Sequence, residues 1–312
     1  MKRLSSIALI FAFTTSFAQD DSIAIKTPKK EESTPTKVFY SQKLINAKTV
    51  EVLRKGILEF NVGHNFGDIA GDNGGIEKFF GLDNTTDVRI GFQLGLSDKF
   101  NLVAARTKGL FVTQQWELGI KWQFLRQMDN DPSHPVSLTM YANDVVSTQK
   151  ASPLADQETS FEDFGDRHSQ VVQLMLARKM GKISLQLNPL YLHTNLVVPY
   201  DQENIFALGG AIRLPLSKKI ILIADYFHPF RSQSTKDGFE ADGIKLYDPF
   251  GIGLEIVTEG HVFHLNFTNA TEILENRFIR KTVTNWGDGE FRWAFTISRN
   301  FVLFRPKNAK GN

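Results

Sequence analysis

Apolar and polar residues alternate in many short segments between residues 56 and 302 of this chain. The clearest segments are 88–96, 116–124, 206–216, 250–256 and 291–297. Within 116–124, for example, Trp, Leu, Ile, Trp and Phe alternate with Glu, Gly, Lys and Gln. A period of two places apolar side chains on one face of a β-strand and polar or very small ones on the other. The pattern therefore predicts an all-β fold.

The lengths of the predicted strands indicate which kind of sheet they form. Most of them have about 9–13 residues, whereas soluble strands average about 5–6 and membrane-crossing strands need about 9–11. We therefore predict a closed antiparallel up-and-down transmembrane β-barrel of about 12 strands, within a range of about 10 to 14. The predicted strands are residues 56–64, 87–96, 99–107, 111–125, 136–144, 168–180, 182–192, 204–216, 219–230, 248–258, 261–270 and 290–302.

The links between these strands test the barrel class independently. Tight turns are predicted at 96–99, 180–182, 217–219 and 259–260, and long polar links at 65–86, 145–167, 193–203, 231–247 and 271–289. Such alternation is typical of outer-membrane barrels, which have short periplasmic turns and long external loops. The links near 108–110 and 126–135 fit it poorly. A soluble β-sandwich or lipocalin-like barrel stays open as an alternative, because alternation does not tell which face points outward.

The N-terminus predicts export to the outer membrane. Residues 1–18 contain the parts of a signal peptide: Lys2 and Arg3, an apolar stretch from Ile7 to Phe13, and a small-x-small site ending at Ala18. Residues 19–37 are poor in apolar side chains and predict a flexible periplasmic segment. The predicted barrel occupies residues 38–304, and residues 305–312 form a short tail.

Charge and cysteine content exclude several classes of function. Lys2 and Arg3 are two of the 36 basic residues, so the mature chain balances at 34 basic against 34 acidic residues. No net basic charge remains to attract nucleic acid. The chain has no Cys, which excludes a disulfide framework, a thiolate metal site and a lipid-accepting thiol. The expected partners are outer-membrane lipid and the barrel-assembly machinery, which recognises an alternating aromatic final strand.

The two faces of the strands define two sets of candidate residues. The candidate lumen charges are Glu59, Arg89, Glu117, Lys121, Arg213, Asp225, Glu255 and Arg292. The candidate lipid-facing residues are Trp116, Trp122, Leu254, Phe291, Trp293 and Phe295. The lumen charges could line a selective pore, since rings of charge tune passage. They could also pair off and fill the lumen, because about twelve strands enclose limited space. The near balance of signs slightly favours a filled lumen.

Candidate chemistry is sparse. His64, His193 and His228 lie near the outer ends of strands, but no ligand pair has a recognised metal-binding spacing. The acidic loop 67–75 does not have the spacing of a calcium loop. A hydrolase with a serine nucleophile would need Ser, His and an acid in contact, but the chain has no Gly-x-Ser-x-Gly motif. His168 and Ser169 are neighbours on a predicted strand and therefore point to opposite faces. We therefore predict no catalytic residue, no cofactor and no metal site.

Several phrases of the sequence resemble a family of Bacteroidete-type outer-membrane β-barrels whose function is not established. They are Asn46-x-x-Thr49-Val50-Glu51 and the segments 55–67, 79–83, 89–92 and 291–299. The resemblance covers most of the mature chain and implies an outer-membrane location and a single barrel domain. The expected function is a non-enzymatic structural or interaction role with surface loops. A narrow transport pore for small solutes is the alternative, and an outer-membrane hydrolase comes third.

Overall fold

Residues 33–304 are described by the computed structural model, and within them twelve antiparallel strands close into one barrel. The predicted fold class is confirmed. The strands are β1 Ile57–Asp68, β2 Thr85–Gly95, β3 Phe100–Thr107, β4 Gln115–Leu125, β5 Ser137–Ser147, β6 His168–Met180, β7 Ile183–Thr194, β8 Asn204–Pro215, β9 Ile220–Phe230, β10 Phe250–Val257, β11 His261–Thr268 and β12 Arg292–Val302.

Each strand pairs with its neighbours in sequence, and the ring closes between β12 and β1. That closing ladder runs from the pair Val302 and Ile57 to the pair Arg292 and Asp68, with one register shift before Ala294. Closure leaves no free strand edge, which matters in lipid because unpaired backbone groups find no water there.

The links divide the barrel into two different ends. The links after β1, β3, β5, β7, β9 and β11 lie at one end, which has the longest links and which we call the long-loop end. The links after β2, β4, β6, β8 and β10 lie at the other, the short-turn end, where only the β4–β5 link exceeds four residues. The helices are all in long links: 3₁₀ turns Ile76–Gly81 and Gly165–Arg167, and helices α1 Gln233–Ala241 and α2 Glu275–Phe278. Across residues 33–304, no helix is long and apolar enough to span a membrane.

The chain before β1 differs from its prediction. The predicted signal peptide 1–18, residues 19–32 and the predicted tail 305–312 lie outside the described residues. The end of the segment predicted to be flexible is instead tied to the β4–β5 link, because Thr34–Pro35 pairs with Met128–Asp129. Residues 38–53, which belong to the predicted barrel domain but precede its first predicted strand, lie inside the ring, where several are fully buried.

The barrel carries its apolar residues outward. On β4, Trp116, Leu118 and Trp122 are 50%, 62% and 45% exposed, while Glu117, Gly119 and Lys121, which alternate with the outward residues, are buried inside. Of the other candidate lipid-facing residues, Leu254, Phe291, Trp293 and Phe295 are half-buried on the outward side, beside neighbouring side chains such as that of Phe267.

The membrane-barrel class predicts a depth-dependent effect of charge on this outer face. Ile120 lies at the centre of β4 and points outward, so Ile120→Arg should destabilise the folded barrel by about 2–4 kcal/mol, the cost of a cation at the bilayer midplane. Phe124 lies one residue before the short-turn end of β4, and Phe124→Arg should cost less, about 0–1 kcal/mol from charge burial, besides its lost ring contact with Trp122. Urea unfolding in lipid vesicles would measure both. A larger cost at position 124 would contradict the placement of the outer face.

Candidate functional site: the filled lumen

The segment before the first strand folds into the barrel. We call residues 36–54 the N-terminal plug. It reverses direction inside the ring, where the Leu44 amide donates to the Ala47 carbonyl (2.8 Å) and the Thr49 amide to the Gln42 carbonyl (3.0 Å). Its apolar side chains are buried against the wall: Val38, Phe39, Leu44, Ile45, Ala47 and Val50. A piece of chain from the short-turn end therefore fills the centre of the lumen.

One carboxylate of the wall holds the turn of this plug. Asp225, on β9, accepts the backbone N–H groups of Ile45 (3.0 Å), Asn46 (2.7 Å) and Ala47 (2.9 Å) on one oxygen. Its other oxygen accepts the Asn46 side-chain amide at 2.9 Å. Hydrogen bonds to a charged acceptor are shorter and stronger than neutral ones. Asp225 is thus the main anchor of the plug turn.

Amide side chains of the wall satisfy the rest of the plug backbone. Gln186 accepts from the Val50 amide (2.8 Å) and donates to the Lys48 carbonyl (2.7 Å). Asn101 accepts from the Leu53 amide (2.7 Å) and donates back to its carbonyl (3.0 Å). Buried backbone groups must be paired, and here wall side chains supply the partners that a sheet would otherwise supply.

A second plug enters from the opposite end. Residues 269–282 of the β11–β12 link, which we call the outer plug, fold into the long-loop end and include α2. Phe278 is fully buried against Phe227, with ring centroids 5.3 Å apart. The Asn276 amide donates to Gln115 (2.9 Å) and to Ser169 (2.7 Å) on the wall.

Ion pairs fasten the outer plug to neighbouring loops. Arg277 lies 2.9 Å from Glu158, and Lys281 lies 2.5 Å from the same carboxylate. Burial by itself would raise the pKa of Glu158, but Arg277 and Lys281 outweigh it and lower that pKa to about 2. Because the folded pKa is depressed, the stability from this anchor is fully present above the ordinary pKa of a glutamate. It is lost as the pH falls from there towards 2.

A single ammonium group joins both plugs to the wall. Lys48 Nζ, on the N-terminal plug, lies 3.1 Å from Glu117 on β4 and 2.7 Å from Glu275 on the outer plug. It also lies 4.4 Å from the ring centroid of Tyr141. All of these groups are buried, so their interaction is weakly screened by solvent.

Glu117 is the centre of this network. Arg89 donates to one of its oxygens from Nε (3.0 Å) and Nη2 (2.7 Å), and the Tyr141 hydroxyl and the Asn143 amide donate to the other. Two glycines of the alternating strands make room for these side chains. A Cβ at Gly91 would lie 2.4 Å from Arg89 Nη1, and one at Gly119 would lie 2.7 Å from the Tyr141 hydroxyl.

All eight candidate lumen charges point into the barrel and are buried. The structure pairs two sets of them with each other, Arg89 with Glu117 and Arg213 with Glu255 (2.8 Å). The remaining four each contact a different residue. Their partners are Asp68 for Arg292 (2.6 Å), Gln42 for Lys121 (2.9 Å), Asn61 for Glu59 (3.4 Å) and the plug backbone for Asp225.

One side of the lumen wall is apolar, which the sequence reasoning did not predict. Strands β6–β9 point aliphatic and aromatic side chains inward, and these contact the apolar side of the plugs: Val171, Met175, Leu190, Leu192, Ile205, Ile223 and Phe227. The lumen therefore has a charged sector, on β1–β4 and β10–β12, facing an apolar sector.

Lys48, Tyr141 and Glu275 are central to the lumen but were not among the candidate residues. A signal for the plug was present in the sequence, because residues 38–53 are too rich in apolar side chains for an exposed linker. Nothing local, however, relates Lys48 to Glu117 or to Glu275, which lie 69 and 227 residues away.

The histidines considered for metal binding lie apart. His64 stacks on Phe295 (5.4 Å), His193 contacts Asn204 (2.9 Å) and His228 contacts Asp248 (2.8 Å). Within residues 33–304, no three His, Asp or Glu side chains are placed to hold a metal ion.

A Ser, a His and an Asp meet in the β4–β5 link, although not in a catalytic arrangement. The same nitrogen of His134 contacts both Ser133 (3.0 Å) and Asp131 (2.8 Å), and Ser133 also donates to Asp131. A general base must use one ring nitrogen for the nucleophile and the other for the orienting acid. The three side chains therefore stabilise a turn.

The chain is similar to several porins of known structure. A KdgM porin in complex with disordered oligogalacturonate shares 8% identity, over 78% of this chain and 99% of that one, with a TM-score of 0.46. OmpF of Salmonella typhi, in complex with daunomycin, shares 7% identity over 78% and 97%, with a TM-score of 0.37. No curated protein sequence matches the chain.

A family model matches residues 39–301, which include most of the N-terminal plug, the wall up to the last residue but one of β12, and the outer plug. The match agrees with the closed ring and its outward apolar face. It also confirms the resemblance to a membrane-barrel family. The chain is therefore an outer-membrane β-barrel and belongs to the family described as "Membrane bound beta barrel domain (DUF5777)".

Proposed function

We propose that the barrel is a channel for small polar solutes and that the two plugs hold it closed. The observation that carries the proposal is that the lumen is filled by segments outside the wall. Residues 36–54 and 269–282 are attached to the wall by hydrogen bonds, ion pairs and side-chain packing. They could therefore leave without breaking any of the twelve strand ladders that form the barrel.

The wall itself has the composition of a water-filled channel. Its charged sector presents Arg89, Glu117, Glu255 and Arg292 to the lumen, and porin interiors are polar in this way. In the apolar sector, Gln173 is fully buried, and neither end of its amide has a hydrogen-bond partner among the described residues. A buried unpaired amide costs about 1–3 kcal/mol. Displacing the plugs would give this group access to water.

The spaces between plug and wall are too small for a solute to pass. A cavity of about 30 Å³ lies beside Glu59 and Arg89, and one of about 10 Å³ lies beside Asn266. Volumes of this size hold about one or two water molecules at most. A wider space of about 340 Å³ opens at the short-turn end, beside Lys37 and Arg126. Conduction therefore requires movement of the N-terminal plug.

A disulfide lock tests this proposal. A Cβ on Gly251 would lie 3.1 Å from the Ile45 Cβ, a few tenths of an ångström short of the usual separation in a disulfide of about 3.5–4.5 Å. The Ile45 methyl that would obstruct it is removed by Ile45→Cys. We expect Ile45→Cys/Gly251→Cys to be silent in planar bilayers when oxidised and to show single-channel openings like those of the native protein after reduction.

The chain is well suited to this experiment, because it has no native Cys. The single variants Ile45→Cys and Gly251→Cys are the matched controls and should respond to neither oxidant nor reductant. Openings that persist in the oxidised double variant would show that the plug does not gate conduction. If neither the native protein nor any reduced variant showed single-channel openings, the result would favour a barrel whose lumen is permanently filled.

A structural or interaction role is the second candidate, and exposed loop side chains favour it. Ile76, Phe79 and Phe164 at the long-loop end are 78%, 59% and 68% exposed. Exposed apolar side chains of this size are common at protein–protein contacts. Like the channel, this role would be non-enzymatic.

A further inference from the structure

A broad groove runs across the outward face of strands β6–β10. Its volume is about 640 Å³, and its lining is almost entirely apolar. Outward-facing residues that line it are Leu176, Leu185, Leu187, Gly210, Ala224 and Phe250. Because these side chains lie on the outer face of a membrane barrel, the groove opens towards the hydrocarbon of the bilayer rather than towards water.

Two small residues create the depression. In the ladders, Gly210 lies between Leu187 and Tyr226, and Ala224 lies between Ile212 and Ile252. The glycine is not needed for packing, because a Cβ at Gly210 would meet no heavy atom closer than 4.0 Å, a backbone oxygen. A larger side chain would fit there, so the small side chain leaves the groove open.

A cationic side chain lies at the short-turn end of the groove. Arg178 is on the outward face of β6, opposite Leu185 and two residues before the strand ends. It is exposed and makes no hydrogen bond or ion pair with the described residues. A guanidinium at the edge of the hydrocarbon reaches towards the headgroup region. Its planar set of donors matches a phosphate group in a bidentate geometry.

We propose that this groove binds one phospholipid from the leaflet at the short-turn end. The acyl chain lies along Gly210 and Ala224, and the phosphate pairs with Arg178. The short turns of outer-membrane barrels face the periplasm, so the lipid comes from the periplasmic leaflet. A second copy of the chain fits this surface less well, because a twofold contact places like surfaces together, and two facing grooves leave a gap between them.

Native mass spectrometry on the delipidated full-length protein in detergent tests the proposal. Dioleoyl phosphatidylglycerol is the probe, and diolein, which has the same acyl chains without a phosphate, is the comparison. The native protein should retain one phosphatidylglycerol and at least tenfold less diolein. Gly210→Leu and, separately, Ala224→Leu should lower the retained phosphatidylglycerol at least tenfold by filling the groove. Arg178→Gln should abolish the preference for phosphatidylglycerol.

Ala104→Leu is the matched control, since Ala104 is also a small outward residue but lies on β3, away from the groove. It should retain the lipid as the native protein does. Equal retention by all variants would overturn the proposal and indicate ordinary boundary lipid. A lipid-free dimer that Ala224→Leu dissociates would overturn it in favour of a second copy. Because Arg178→Gln leaves the groove unfilled, it tests the headgroup contact even if a leucine variant fails to fold.

Discussion

Glu117→Leu should lower the free energy of unfolding of the barrel by about 3–5 kcal/mol, the cost of removing one partner from a buried ion pair. Among residues 33–304, the substitution leaves Arg89 without its one ion-pair partner and leaves Lys48 paired with Glu275 alone. It also leaves the buried Tyr141 hydroxyl without its acceptor. Urea unfolding in detergent micelles, followed by circular dichroism, would measure the change.

The double variant Arg89→Met/Glu117→Leu is the control for this prediction. Replacing both members of a buried pair by apolar side chains of similar volume is often neutral or stabilising, so it should recover most of the lost stability. A loss below about 1 kcal/mol in the single variant, typical of an exposed pair, would contradict the central role of Glu117.

Asp225→Ala should release the turn of the N-terminal plug while the barrel stays closed. Three backbone N–H groups and the Asn46 side chain lose their shared acceptor, and hydrogen bonds to charged groups contribute about 1.5–3 kcal/mol each. Even a loss of about 3 kcal/mol corresponds to a roughly hundredfold change in an equilibrium. With Ala47→Cys as the single thiol, a water-soluble maleimide should label the Asp225→Ala protein at least a hundredfold faster.

The comparison variant is Asp248→Ala in the same Ala47→Cys background. Asp248 contacts Tyr226 and His228 on the outside of the barrel, so its loss should not change labelling of the plug. A heat-shifted band on unboiled SDS gels should show that both variants keep a closed barrel. Equal labelling rates with and without Asp225 would show that other contacts hold the plug turn.

The strands were predictable because their signal is local. Apolar and polar residues alternate with a period of two wherever a strand has lipid on one side and polar groups on the other. The same alternation identified the eight charged residues that face the lumen. Strand ends were less predictable. The predicted strand 111–125 begins only at Gln115, because the backbone of Gln114 takes the left-handed conformation (φ 55°) and interrupts it.

The contents of the lumen were not predictable in the same way. Residues 38–53 have no period that distinguishes a plug from a strand, and the contacts that place them join distant parts of the chain. The apolar sector of the lumen, however, was indicated by one segment of the sequence. Residues 220–224 read Ile-Ile-Leu-Ile-Ala, and an apolar run without alternation indicates burial on both faces.

The position of the two plugs along the chain constrains the order in which the molecule can assemble. The N-terminal plug leads into β1, and the outer plug is joined to β12 by residues 283–291. These two strands form the closing ladder. Threading either segment through a finished ring would first require an empty lumen, in which the apolar sector and Asp225 lacked their partners. Insertion of both segments should therefore precede or accompany zipping of β12 onto β1. A substitution that weakens the plugs would then slow the last step of biogenesis as well as loosen the finished protein.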